Sequence, residues 1–169
     1  MSPLAEHLDG IDLQILAMLQ RDARTPNAEI ARQVGMAPSA ILERVRKLEG
    51  RGVLRGYHAR IDPQALGLGL VAFVFVRVDD RVGETKTSEL VARIPGVQEV
   101  HHIAGEDCLI VKVRAPDTQS LGRLLREEFG RIDTVRSTRT TIVLETVKES
   151  GELPLPAVAP EDPDRGNHD

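Results

Sequence analysis

The sequence predicts an α+β protein in two parts, an N-terminal winged helix-turn-helix followed by a ferredoxin-like βαββαβ domain. Three observations carry this reading. Three short apolar-periodic stretches lie between Ile11 and Glu49, separated by turn residues. A nearly continuous β-branched and aromatic run spans Leu70 to Val78. Beyond it, alternating and helical patterns follow in the order helix, strand, strand, helix, strand. At 169 residues and 41% hydrophobic content, the chain can build one ordinary core or two small ones.

The first helix is expected to start at Asp9 or Asp12, either of which can cap it, and to bury Ile11, Ile15, Leu16 and Leu19. After the polar break Arg21-Asp22-Ala23-Arg24, Thr25 is placed to cap a second helix and Pro26 suits its first turn. Ile30, Ala31 and Val34 face inward there, and Gly35 ends it. Pro38 opens a third helix, in which Ile41, Val45 and Leu48 recur at i, i+4 and i+7. At about 100° per residue, Ser39, Glu43, Arg46 and Gly50 point away from that stripe, with Leu42 and Lys47 on its flanks. Gly52 stops the helix, and Val53 to Ile61 reads as a strand or wing carrying Arg55, His58 and Arg60.

This order matches a DNA-reading module, with the third helix as recognition helix. The net charge of −4 looks adverse until it is located. Residues 36–60 hold Arg44, Arg46, Lys47, Arg51, Arg55 and Arg60 against Glu43 and Glu49 only. Residues 149–169 hold six carboxylates against Arg165 alone. Affinity for DNA depends on where cations meet phosphates, so the acidic total does not exclude binding. An ordinary three-helix domain with solvated charges would share the periodicity. The short helix-turn-helix connection and the concentrated basic excess favour DNA. The expected contact set is Ser39, Leu42, Glu43, Arg44, Arg46, Lys47, Arg51 and Arg55.

In the second half, Leu70 to Val78 is expected to be a central strand with both faces covered. Thr85 to Ile94 reads as a helix bearing Leu90, Val91 and Ile94. Val97 to Ala104 and Cys108 to Arg114 read as a hairpin around the tight turn Gly105-Glu106-Asp107. Asp117 can cap a helix running through Phe129, and Val135 to Val147 reads as a last apolar strand. Residues 1–61 thus form the DNA-binding domain, 62–69 a linker with Pro63, Gly67 and Gly69, and 70–148 the βαββαβ domain. Residues 149–169, acidic and proline-rich, are expected to be a disordered tail.

No catalytic constellation is visible, so no enzyme is expected. His101 and His102 are adjacent on a strand and point to opposite faces, which prevents joint metal binding. No serine has a base at recognisable spacing, and no glycine-rich phosphate loop is present. Neither a metal nor a cofactor is expected. The single cysteine, Cys108, cannot form an internal disulfide and reads as a packed strand residue. No apolar run approaches the roughly 20 residues of a membrane span, and Met1 to Gly10 has no apolar signal core, which points to a cytoplasmic protein.

Several stretches also carry a resemblance. Leu8 to Asp12, Ile15 to Arg24, Arg44 to Glu49, Gly52 to Tyr57, Asp62 to Gly67 and Val100 to Val113 resemble Lrp/AsnC, or feast/famine, regulators over about residues 8 to 148. Pro26 and Ala37 stand where that family usually has capping serines, and Thr25 and Pro38 are the residues available to compensate. The resemblance implies a RAM or ACT-like second domain whose turn, here Gly105, Glu106 and Asp107, lines an amino-acid effector pocket between dimers. Gly105 would admit the ligand to the backbone, and Glu106 or Asp107 would receive its ammonium group.

The expected function is a transcription regulator that binds double-stranded DNA and responds to a small amino acid. One recognition helix reads few bases, so a homodimer is the minimum and a tetramer or octamer the natural extension. The alternative is an amino-acid-sensing oligomeric module that acts on partner proteins with little DNA binding.

Overall fold

A computed structural model describes residues 8–81 and 84–156. The chain divides into two compact units, one running to Arg60 and taking up the chain again from Ser150, the other spanning Ile61–Glu149.

In the first unit, helix α1 (Gly10–Arg21) starts at Asp9, whose carboxylate accepts the Asp12 N–H at 2.8 Å. Helix α2 (Asn27–Val34) has no side-chain cap. Thr25 instead donates its hydroxyl to the Asp22 carbonyl at 2.8 Å, and so serves the preceding turn. Gly35 closes α2 at φ 71°, a left-handed conformation that disfavours other residues. Helix α3 (Pro38–Gly50) opens on Pro38, whose missing N–H costs nothing in a first turn. The three helices bury Ile15, Ile30, Ile41 and Leu48 almost completely around one core. Each such side chain contributes on the order of 1.5–3 kcal/mol.

The expected wing strand is absent: residues 53–61 pair with no strand among the described residues. The physical reason is local. Val53 and Leu54 both donate their N–H to the Leu48 carbonyl and turn inward onto the core. Gly52 and Gly56 at positive φ then break the extended run that a strand requires.

The second unit contains β1 (Leu70–Val78), α4 (Lys86–Ala92), β2 (Val97–His102), β3 (Leu109–Ala115), α5 (Thr118–Glu127) and β4 (Val135–Ile142). The sheet order is β2-β3-β1-β4, antiparallel throughout. β1 is central, which explains its apolar continuity. Its Ala72, Val74 and Val76 join Leu109, Val111 and Val113 of β3 on one face, where Val91, Leu121 and Phe129 from the helical layer cover them. The opposite face carries Val71, Phe73 and Phe75 with Ile110, Lys112, Arg114 and Arg139, all but the exposed Arg139 and the buried Val71 being half-buried.

Several expected bounds shift. Helix α4 is shorter than Thr85–Ile94, and Leu90 is 41% exposed rather than part of the core. Helix α5 ends at Glu127, with Phe129 buried from a following 3-10 turn. β4 stops at Ile142 and is largely polar. Its partner β1 begins at Leu70, so after Val143 donates to the Val71 carbonyl no strand remains to pair with, and Leu144 is 99% exposed. The Gly105-Glu106-Asp107 turn is part of a broader loop, residues 103–108, closed by the Ile103 N–H on the Cys108 carbonyl at 3.0 Å. Cys108 lies at the end of that loop, just before β3, and packs against the core.

The expected disorder from 149 onward does not hold for its first eight residues. Glu149 pairs with Lys112 and Arg114 in the second unit. In the first unit, Leu153 is hydrogen-bonded to Gln20 and Leu155 packs against the core. Leu155 supplies an apolar anchor that a low average hydropathy hides, while Leu153, 71% exposed, is held by its backbone. Residues 157–169, the rest of the expected tail, lie outside the described residues.

Candidate nucleic-acid interface and ligand loop

The face of α3 opposite the Ile41, Val45 and Leu48 stripe is open. Ser39, Glu43, Arg46 and Lys47 are exposed there and Leu42 is 39% exposed, while Arg51 and Arg55 are exposed just beyond the helix. Glu43 and Lys47, one turn apart, pair at 2.9 Å, and the Lys47 ammonium holds the Glu43 carboxyl below its ordinary range. That leaves the face patterned: a neutralised pair on one flank, Arg46 on the other.

Arg44 does not belong to this face. About 60° from the buried stripe by helical periodicity, it turns back toward α1, where its Nη1 donates to Asp9 at 2.7 Å and to Asp12 at 2.8 Å. The Asp12 side chain is 11% exposed and that of Arg44 29%. The hydrogen bonds that Arg44 donates to Asp9 and then to Asp12 raise its pKa further above the usual range. Burial alone would raise the Asp9 carboxyl, but the Asp12 backbone N–H and Arg44 outweigh it and hold the pKa below the ordinary value. Arg44 is therefore a staple between α3 and the start of α1, and its guanidinium is spent inside the unit. The signal for this was its buried acidic neighbour at position 12 of an otherwise apolar stripe, where a carboxylate requires a partner.

In the second unit, Gly105 stands at φ +146° with no atom near the place of a Cβ, so its backbone is open to solvent. Glu106 is exposed, while Asp107 is half-buried. Asp107 is already engaged: its carboxylate accepts from Arg139 of β4 at 2.8 Å, and Arg139 stacks 4.0 Å above the Phe75 ring. Arg77 donates to the Glu106 carbonyl at 3.2 Å. Thus two arginines on neighbouring strands hold the loop, one by its side chain and one by its backbone. Neither was expected, because only the β1–β4 register, in which Phe75 faces Arg139, brings them there.

The two histidines stand apart. His101 lies against Glu99 at 3.3 Å and His102 against Ser88 at 3.1 Å. Among the described residues, no cluster of three or more His, Cys, Asp or Glu could hold a metal.

Comparison with known proteins follows the same division. Residues 8–49 match the AsnC-type helix-turn-helix domain and residues 71–153 the Lrp/AsnC ligand binding domain. Over 149 residues, 88% of this chain and 97% of the other, the sequence is 39% identical to the HTH-type transcriptional regulator FL11 of Pyrococcus horikoshii. The chain belongs to the Lrp/AsnC family of transcriptional regulators. Another Lrp/AsnC relative, the leucine-responsive regulatory protein of Escherichia coli K12, is 36% identical over 148 residues, 86% of this chain and 90% of that one. Among solved Lrp/AsnC structures, the feast or famine regulatory protein of M. tuberculosis complexed with L-methionine superposes with a TM-score of 0.80 at 36% identity, covering 88% of this chain and 99% of that one. The Neisseria meningitidis regulator in complex with L-Met gives 0.81 at 27% identity, covering 87% and 96%. As an Lrp/AsnC regulator, the chain is a DNA-binding protein: the exposed face of α3 belongs to its DNA-binding domain and the 103–108 loop to its ligand-binding domain.

Proposed function

We propose that this chain regulates transcription as a homo-oligomer, reading duplex DNA with α3 and answering to a small amino acid at the 103–108 loop. Arg46 reads a base edge, with Ser39, Leu42 and Glu43 beside it, and Lys47, Arg51 and Arg55 contact phosphates. The single observation that carries this assignment is the exposed face of α3, from which the Arg44 guanidinium has been withdrawn. The role is regulatory rather than catalytic, and it is exercised in the cytoplasm, where bacterial-type DNA lies.

At the loop, Gly105 admits the ligand to the backbone and Asp107 receives its ammonium group, with Glu106 peripheral because its side chain faces solvent. The L-methionine complexes of two structural relatives support an amino acid as the ligand class. A homodimer is supported by the half-buried Phe73, Phe75 and Ile110 on the sheet face opposite the helices. Tetramers or octamers would then bring loops of different dimers together.

Two measurements test the proposal. Arg46→Ala should cost about 1–3 kcal/mol on a selected operator and relax preference at one base position, with little effect on random DNA. Equal binding of wild type and variant to both sequences would overturn the base-reading role. A thermal-shift screen of the amino acids should find one that stabilises by about 2.7 kcal/mol at 100 times its dissociation constant. Asp107→Ala should abolish that shift; a full response in the variant would remove Asp107 from the site.

A further inference from the structure

The outward row of α3 has a chemical order along its axis. At about 100° per residue, Ser39, Glu43 and Arg46 fall within about 60° of one another, and Gly50 extends the row without a side chain. All three side chains are exposed. Glu43 and Arg46 are about 4.5 Å apart along the helix, close to the step of about 3.4 Å between base pairs. When α3 lies along a major groove, the row therefore sets an anion and a cation against neighbouring base pairs.

A carboxylate stands out on a surface that meets a polyanion. Glu43 is ionised at neutral pH, and its partner Lys47 lies one turn on, 2.9 Å away, on the flank of the row. Their side chains are 69% and 68% exposed, so this is a weak surface pair, readily exchanged. On DNA, Lys47 turns to a phosphate and Glu43 is left against base edges without its cation. A carboxylate can only accept hydrogen bonds. In the major groove guanine offers N7 and O6 and thymine offers O4, all acceptors that repel it. Adenine offers its N6 amine beside the N7 acceptor. Cytosine alone offers an amine, N4, with no acceptor of its own beside it.

We propose that Glu43 is a specificity residue that accepts a hydrogen bond from the N4 amine of a cytosine, in the base pair next to the one read by Arg46. This rests on α3 being the recognition helix. Arg46 suits guanine, through O6 and N7, so two successive G·C pairs lie under the middle of α3. The carboxylate also works against every other sequence. It lowers affinity for random DNA by repulsion from the phosphates, and that loss is offset only where a cytosine meets it.

The test enriches a random duplex library on the full chain and on its Glu43→Gln, Arg46→Ala and Lys47→Met variants, and sequences the bound DNA. Anisotropy then measures each protein on the wild-type site with the four base pairs exchanged at the Glu43 position. Wild type should select cytosine there, beside the guanine whose selection Arg46→Ala flattens, and prefer it to thymine by about 5-fold to 150-fold. Glu43→Gln should move the preference at this one position to adenine, whose N6 and N7 a carboxamide pairs with, and should bind random DNA more tightly than wild type. Lys47→Met should weaken binding to every sequence and keep the cytosine. Melting followed by Tyr57 fluorescence checks that these exposed substitutions leave the unit folded. An unchanged base preference in Glu43→Gln would overturn the proposal and leave Glu43 as the helical partner of Lys47 only. So would selection by wild type of any other base at that position. Failure of α3 as the reading helix looks different: neither Arg46→Ala nor Glu43→Gln would then change the enriched sequence, and both readings would fall together.

Discussion

Replacing Arg44 by methionine keeps an unbranched stem of similar length but removes the guanidinium that bridges Asp9 and Asp12. The two arms differ in cost. Asp12 is 11% exposed at its side chain and Arg44 29%, so this arm lies closer to a buried pair than to a surface one. Breaking a fully buried pair costs about 3–5 kcal/mol, because the remaining charge is left without a partner. Discounted for the partial exposure of Arg44, about 2 kcal/mol is expected here. Asp9 is 52% exposed, and its arm adds about 0.5 kcal/mol at most. For a unit of this size each kcal/mol moves the melting temperature by about 4–8 °C, giving a drop of roughly 10–20 °C. The chain offers a selective probe: it has no tryptophan and a single tyrosine, Tyr57, in the first unit with its hydroxyl on Glu49. Tyrosine fluorescence therefore follows that unit alone. A companion Asp12→Leu with Arg44→Met removes both charges and should recover much of the loss. Well below the melting point, the salt slope of DNA binding should be that of wild type. A melting shift under 2 °C together with a slope reduced by about one phosphate contact would refute the staple and return Arg44 to the DNA surface.

Three further outcomes follow from the second unit. Phe75→Glu puts a charge on the half-buried sheet face and should shift the sedimentation of the chain toward monomer; an unchanged oligomer would place the self-association elsewhere. Gly96→Ala should destabilise by about 2–3 kcal/mol, since Gly96 stands at φ +90° and a Cβ would meet the Arg114 carbonyl oxygen at 2.7 Å; denaturant titration checks this. Asp117 caps α5 through the Ser120 N–H at 2.7 Å, and that bond holds its carboxyl below the ordinary range. A depressed folded pKa means stability present above the unfolded value of about 3.9 and lost as pH falls through the folded one. Asp117→Ala should accordingly be less stable than wild type at pH 7, with the gap narrowing below about pH 4; a gap that stays constant down to pH 2 would deny the charged cap.

The helices of the first unit were legible because their stripes are strongly periodic and their ends carry Asp9, Pro38 and two glycines with defined backbone roles. The wing was not. Val53 to Ile61 has the residue types of a strand, but strand formation depends on a partner, and partners are a property of the whole fold rather than of the segment. The same limit explains β4: composition carried the expected strand to Val147, whereas β1 runs out at Leu70 and leaves the last residues unpaired. The C-terminal segment failed in the other direction. Averaged over 149–169, its composition reads as unable to fold, yet the Leu155 side chain and the Leu153 backbone need only an existing surface to dock on.

Site residues divide by the same physics. Helical periodicity sufficed for Arg46 and Lys47, since 100° per residue fixes which side faces out once the core stripe is known. Applied strictly, it also argued against Arg44, whose angle lies beside that stripe rather than opposite it. Local basic charge points the other way there, although Asp12 in the buried face of α1 demands a cation. The 103–108 loop needs more than a helix angle. Gly105 and Asp107 could be named from turn chemistry and resemblance, but Arg139 lies 32 residues from Asp107 in sequence and meets it only through the register of β4 on β1. Engagement of Asp107 by Arg139 has a consequence for the effector. A zwitterionic amino acid that offers an ammonium group to Asp107 must compete with this guanidinium, while its carboxylate offers Arg139 a substitute partner. Exchange of one ion pair for two keeps both charges compensated, whereas an amine lacking the carboxylate would leave Arg139 without its acid. Amino acids should therefore shift the melting curve where the corresponding decarboxylated amines do not, and Arg139→Gln should erase that difference. Equal stabilisation by an amino acid and its amine in the wild-type chain would rule out the exchange.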